Sequence, residues 1–98
     1  MKTYPHHRKS RRFQLNRSVL LEDFRTGYFY KGALCNHSAG GGYVEAAYAP
    51  RPGRKIHIKL DGEPDAKLSL DRLAEIRWRK SLLLNPDSYT YGMGLKYC

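Results

Sequence analysis

The run Ile56-His57-Ile58-Lys59-Leu60 alternates apolar and polar residues without a fault. Only a β-strand with one face in a core and the other in water gives that period a use. Similar short segments recur along the chain. Phe13, Leu15, Val19 and Leu21 predict one strand, and Tyr28 and Tyr30, with Ala33 and Cys35, predict a second. Tyr43 to Tyr48 predicts a third and Tyr89 to Tyr97 a last one, in which Gly92 and Gly94 mark a bend or a close approach. Turn formers separate these segments: Asn36, the run Gly40-Gly41-Gly42, Pro50 to Gly53, Asp61 to Pro64, and Asn85-Pro86-Asp87. Leu68 to Lys80 fits two patterns. Leu70, Leu73 and Ala74 have helical spacing, whereas Ala74, Ile76 and Trp78 alternate as a strand with Glu75, Arg77 and Arg79 outward.

Some six short strands in a chain of 98 residues point to one all-β domain. A small antiparallel, split β-barrel suits them, because closure leaves few edges exposed. The 41% hydrophobic content, with eight Tyr and three Phe, supports a folded core. The formal charge of +9 attracts anions: nucleic acid, an acidic membrane, a phosphorylated small molecule or an acidic partner. Much of it lies early, since Lys2, Arg8, Lys9, Arg11, Arg12 and Arg17 all precede the first acid, Glu22. Residues 1–12, broken by Pro5, read as a flexible basic arm, and residues 13–98 as the barrel.

Two cysteines, Cys35 and Cys98, make neither a disulfide framework nor a C-x-x-C metal site, so reduced thiols in the cytoplasm are expected. No aliphatic run is longer than three residues, as in Leu82-Leu83-Leu84, too short for a membrane-spanning segment or a signal peptide, and no membrane insertion is expected. The histidines lie in the arm, one loop and one strand, without an evident nucleophile or metal-ligand spacing. No catalytic residue, metal or cofactor is therefore predicted, and the chain is not read as an enzyme.

Two clusters carry usable chemistry. In Arg8-Lys9-Ser10-Arg11-Arg12, guanidinium groups can grip phosphates, stack on a base or bind the O6/N7 edge of guanine. The plainer reading is a solvated basic tail. In Asn36-His37-Ser38-Ala39-Gly40-Gly41-Gly42, an amide and a hydroxyl stand beside glycines that permit positive φ and close approach to the backbone. It can be a phosphate or base cradle, or simply a hairpin loop.

Together and in this order, the clusters resemble the PilZ family, whose signature is R-x-x-x-R before the first barrel strand and [DN]-x-S-x-x-G after one hairpin. Arg8 and Arg12 match the first part; Asn36, Ser38 and Gly41 match the second. Ala74 to Trp78 is similar to the family's late strand with its tryptophan, and Tyr91 to Tyr97 to its closing G-x-G-x-x-aromatic strand. The resemblance thus covers nearly the whole chain and makes Leu73 to Lys80 a strand. There are two departures. Asn36 stands where Asp is commoner, and the chain ends at Cys98 without the C-terminal helix that many members carry.

The resemblance implies a receptor for the second messenger cyclic di-GMP. Arg8 and Arg12 would hold guanine edges and phosphates from the arm, Asn36 and Ser38 would hydrogen-bond the ligand from the barrel, and Gly41 would keep the loop open. Lys9 and Arg11 would add phosphate neutralisation, Gly40 a second open loop position, and Trp78 a stacking surface if its ring faces the ligand rather than the core. His6 and His7 adjoin the arm cluster and would tune affinity near neutral pH, unless they are simply solvated. Ligand binding would order the arm, and the signal would pass to an unidentified protein partner. The competing readings are a PilZ-like adaptor that works by protein contact alone, and a basic barrel that binds nucleic acid through its tyrosines. Intact Arg8, Arg12, Asn36, Ser38 and Gly41 argue against the adaptor, and nucleic acid is disfavoured as a partner.

Overall fold

The computed structural model describes residues 13–62, 69–82 and 89–98. Its elements are six strands: β1 Phe13–Asp23, β2 Tyr28–Ser38, β3 Gly41–Ala46, β4 Lys55–Leu60, β5 Asp71–Ser81 and β6 Tyr91–Tyr97. They close into an antiparallel barrel in the order β1-β2-β3-β6-β5-β4, with β4 returning to β1. Each strand thus has a neighbour on both sides over at least part of its length. The helical alternative for residues 68–80 is displaced by β5, whose Ala74 and Ile76 are fully buried.

Alternation places the core as the sequence predicts. In β4, Ile56 and Ile58 are fully buried, while His57 and Lys59 point outward. Val19, Leu21, Leu34, Val44, Ile76 and Met93 also lie in the interior with no exposed surface. Each such side chain contributes about 1.5–3 kcal/mol by leaving water. At one end of the barrel, the rings of Tyr28, Tyr30 and Tyr48 pack together around the buried Asp23. The Asp23 carboxylate accepts from Tyr48 Oη at 3.1 Å and from the Arg25 backbone N at 3.0 Å. Burial, with the neighbouring Asp23 adding to it, pushes the Tyr30 phenol well above its ordinary value.

Three register shifts interrupt the ladders, between Gln14 and Arg17, between Leu34 and Asn36, and between Ile76 and Trp78. At the second, Cys35 is the extra residue; at the third, Arg77 is. An extra residue reverses which side chains face the core beyond it. Trp78 therefore continues the alternation of Ala74 and Ile76 in sequence but leaves it in space, and is 45% exposed on the outside of the barrel.

Candidate functional site

The site grows from the β2–β3 hairpin. Asn36 and Ser38 lie on β2 itself, and only Ala39 and Gly40 form the turn, because Ser38 already pairs with Gly41 on β3. Contrary to the expectation from sequence, none of Gly40, Gly41 and Gly42 has positive φ. The need for glycine here is space. A Cβ on Gly41 would overlap the carbonyl oxygen of Leu95 on β6, and one on Gly42 would fall 2.7 Å from the Asn36 carbonyl oxygen. At Gly40 nothing lies within 4 Å. Ser38 is buried, and its Oγ donates to the Gly41 carbonyl at 3.4 Å, leaving its lone pairs as acceptors.

Leu34 and Val44 face each other inside the barrel; one step on, after the shift at Cys35, Asn36 faces Tyr43 on the outside. Tyr43 is opposite Gly94 on β6, and Gly94 is opposite Trp78 on β5. Register thus strings Asn36, Tyr43, Gly94 and Trp78 into one row across four strands. The rings of Tyr43 and Trp78 stack, with centroids 5.8 Å apart and planes 24° from parallel. They lie flat because Gly92 and Gly94 have no side chains: a Cβ at Gly92 would sit 2.9 Å from Tyr43 Cε1, and one at Gly94 2.8 Å from Trp78 Cζ2. Lys80 Nζ hangs 5.5 Å from the Tyr43 centroid and 5.8 Å from that of Trp78, a cation over an aromatic slab. Tyr43 Oη donates to Glu45 Oε2 at 2.9 Å, and burial followed by this bond raises its phenol well above the ordinary range.

Gln14 of β1 pairs with Asn36 and Phe13 with His37. Arg8, Lys9, Arg11 and Arg12 lie outside the described residues, as does the rest of the arm with His6 and His7. The chain that follows Arg12 is nevertheless fixed in register beside Asn36 and His37. Sequence reasoning missed Tyr43 and Lys80, since one side of an alternating strand carries no signal of what the neighbouring strand brings. It also missed His37.

His37 turns inward between Asn36 and Ser38. Its Nδ1 shares a 2.7 Å hydrogen bond with Tyr97 Oη, whose ring lies 4.9 Å from the Arg72 guanidinium carbon. Burial pushes the Tyr97 phenol up to about 12. Burial, and after it Arg72, holds the His37 imidazole below its usual value. The folded state therefore keeps His37 neutral where an unfolded histidine is charged. Its contribution is complete above about pH 6.5 and is lost as the pH falls through the folded value. The melting temperature is expected to decline below about pH 6.5, and His37→Gln to remove that part of the decline. A slope identical in wild type and variant would show that His37 is not the group.

Among the described residues, no three His, Cys, Asp or Glu side chains gather into a metal site. Cys35 and Cys98 are both free thiols. No helix of the described residues is long and apolar enough to cross a membrane.

No model of a known protein family matches the sequence, and no curated protein matches it. Solved structures do match. The inhibitor of motility MotI/DgrA from Bacillus subtilis superposes with a TM-score of 0.67 at 20% identity, covering 95% of this chain and 43% of its own. The PilZ domain of YcgR from Escherichia coli, solved with cyclic di-GMP, superposes with a TM-score of 0.69 at 12% identity, covering 94% of this chain and 78% of its own. The fold is PilZ-like. This chain spans less than half the length of the MotI/DgrA structure. At these identities the likeness speaks for the PilZ-like barrel alone, and the chemistry of the site has to be argued from its own residues.

Proposed function

We propose that this PilZ-like barrel is a receptor for cyclic di-GMP, without catalytic chemistry, that binds the nucleotide on the outer face of β2, β3, β6 and β5. The observation that carries the reading is the single row formed by Asn36, Tyr43, Gly94 and Trp78, with the strand that leads from Arg12 paired alongside it. A cyclic dinucleotide with two guanines and two phosphates needs flat surfaces, short-range polar groups and cations. The Tyr43–Trp78 slab supplies the first, Asn36 and Ser38 the second, and Lys80 part of the third. Arg8 and Arg12 supply the rest, with Lys9 and Arg11 adding charge and Gly40 and Gly41 leaving the turn open. The resemblance of the motifs and the cyclic di-GMP in the YcgR PilZ domain support the same ligand.

Binding would fold residues 1–12 across the row, and the altered surface would be read by a protein partner in the cytoplasm. Several charge-assisted hydrogen bonds at about 1.5–3 kcal/mol each offset the entropy of ordering a short arm. Calorimetric titration is expected to show saturable heat with cyclic di-GMP and none with cyclic di-AMP, while amide exchange in residues 1–12 slows at saturation. No heat with either nucleotide would leave the adaptor reading, and binding that follows salt alone would favour nucleic acid.

A further inference from the structure

Across the barrel from the nucleotide row, β1 and β4 present a second face of different character. Register sets Phe29, Glu22, His57 and Leu73 in one outward row over β2, β1, β4 and β5. The next row holds Lys31, Leu20, Lys59 and Asp71. Phe29 is 64% exposed, and Phe24, whose ring lies 6.4 Å from that of His57, is 51% exposed. Large apolar side chains exposed on one face mark a contact surface.

The charges on this face decide what covers it. The chain carries 18 Lys and Arg against 9 Asp and Glu, yet here Lys31 and Lys59 are set among Glu22, Asp61 and Asp71. Lys31 Nζ lies 3.4 Å from Asp61 Oδ2, and His57 Nε2 is paired with Asp71 Oδ1. A two-fold contact lays one patch against itself, so each charge must find its opposite within that patch. This face meets the condition, whereas an acidic foreign partner would match the basic remainder of the surface better. We propose that the outer face of β1 and β4 is where two copies of this chain associate, back to back, with Phe24 beside His57 near the middle, Phe29 and Leu73 at its two sides, and Lys31 and Lys59 of each copy set against Asp61 and Asp71 of the other.

Four strands about 4.8 Å apart make a face near the small end of specific interfaces, roughly 1,200 Å² in total, so a reversible dimer is expected. Sedimentation equilibrium of the full chain, without nucleotide, would show an average mass rising with concentration from 11.3 kDa towards twice that value. Phe29→Arg would weaken the dimer by at least about tenfold, with the melting curve at dilutions where both proteins are monomeric unchanged. Lys31→Glu with Lys59→Glu, and separately Asp61→Lys with Asp71→Lys, would each be monomeric, and an equimolar mixture of the two would dimerise. A monomer at all concentrations up to about 0.5 mM overturns the proposal and leaves the face to a different protein. A dimer that Phe29→Arg leaves intact, or a mixture that stays monomeric, overturns it as well.

Discussion

Gly41→Ala is expected to unfold this barrel at a temperature roughly 10–20 °C below the wild type, a loss of about 3 kcal/mol. The cause is backbone meeting backbone. The added methyl carbon would fall inside the contact distance of the Leu95 carbonyl oxygen and 3.0 Å from its carbonyl carbon. Neither atom can rotate away as a side chain would. Gly41 pairs with Ser38 on one side and Lys96 on the other, so relief requires opening the β3–β6 ladder beside the proposed site. Gly40→Ala is the control: its Cβ meets nothing within 4 Å, and its melting temperature is expected to stay within the spread of ordinary surface substitutions, about 0.5 kcal/mol. Differential scanning calorimetry on both variants decides the matter, since equal melting would show that close approach is not what reserves this position for glycine.

Replacing Arg8 and Arg12 together by alanine is expected to weaken cyclic di-GMP binding by about 10²- to 10⁴-fold, from two charge-assisted contacts at roughly 1.5–3 kcal/mol each. The melting temperature without nucleotide should not move. Arg8→Lys with Arg12→Lys gives the loss a mechanism: the lysines keep the charge but lack the planar fork that meets a guanine edge or phosphate in two bonds. If calorimetry finds the lysine pair as tight as wild type, the arm acts as a diffuse cation, and the proposed grip on guanine is wrong.

Much of the fold was legible in the sequence because alternation reports burial directly. Ile56 to Leu60 needed no other information, and the inward residues of β1, β3 and β6 follow from the same period. The site was legible only in part. Asn36, Ser38 and Gly41 stand out because polar and glycine residues are conspicuous between two apolar strands, but Gly41 was valued for its freedom of φ when its real constraint is Leu95 on a strand more than fifty residues later. Tyr43 and Lys80 carry no local mark; what brings them into the proposed site is the lateral neighbour that barrel closure assigns. Trp78 continued an inward alternation, and only the extra residue at Arg77 shows why it lies outside.

The two register shifts at Cys35 and Arg77 act on the pleat as a frameshift acts on a message. In unbroken phase, Asn36 would follow Leu34 inward and Trp78 would follow Ile76 inward; each reaches the outer surface because one residue was inserted just before it. In β2 and β5 the core and the outer row are therefore written in different frames. Exchanging an outer side chain of the row alters neither the volume nor the polarity of the interior, so the chemistry of the outer face is free to change while the barrel beneath it stays the same.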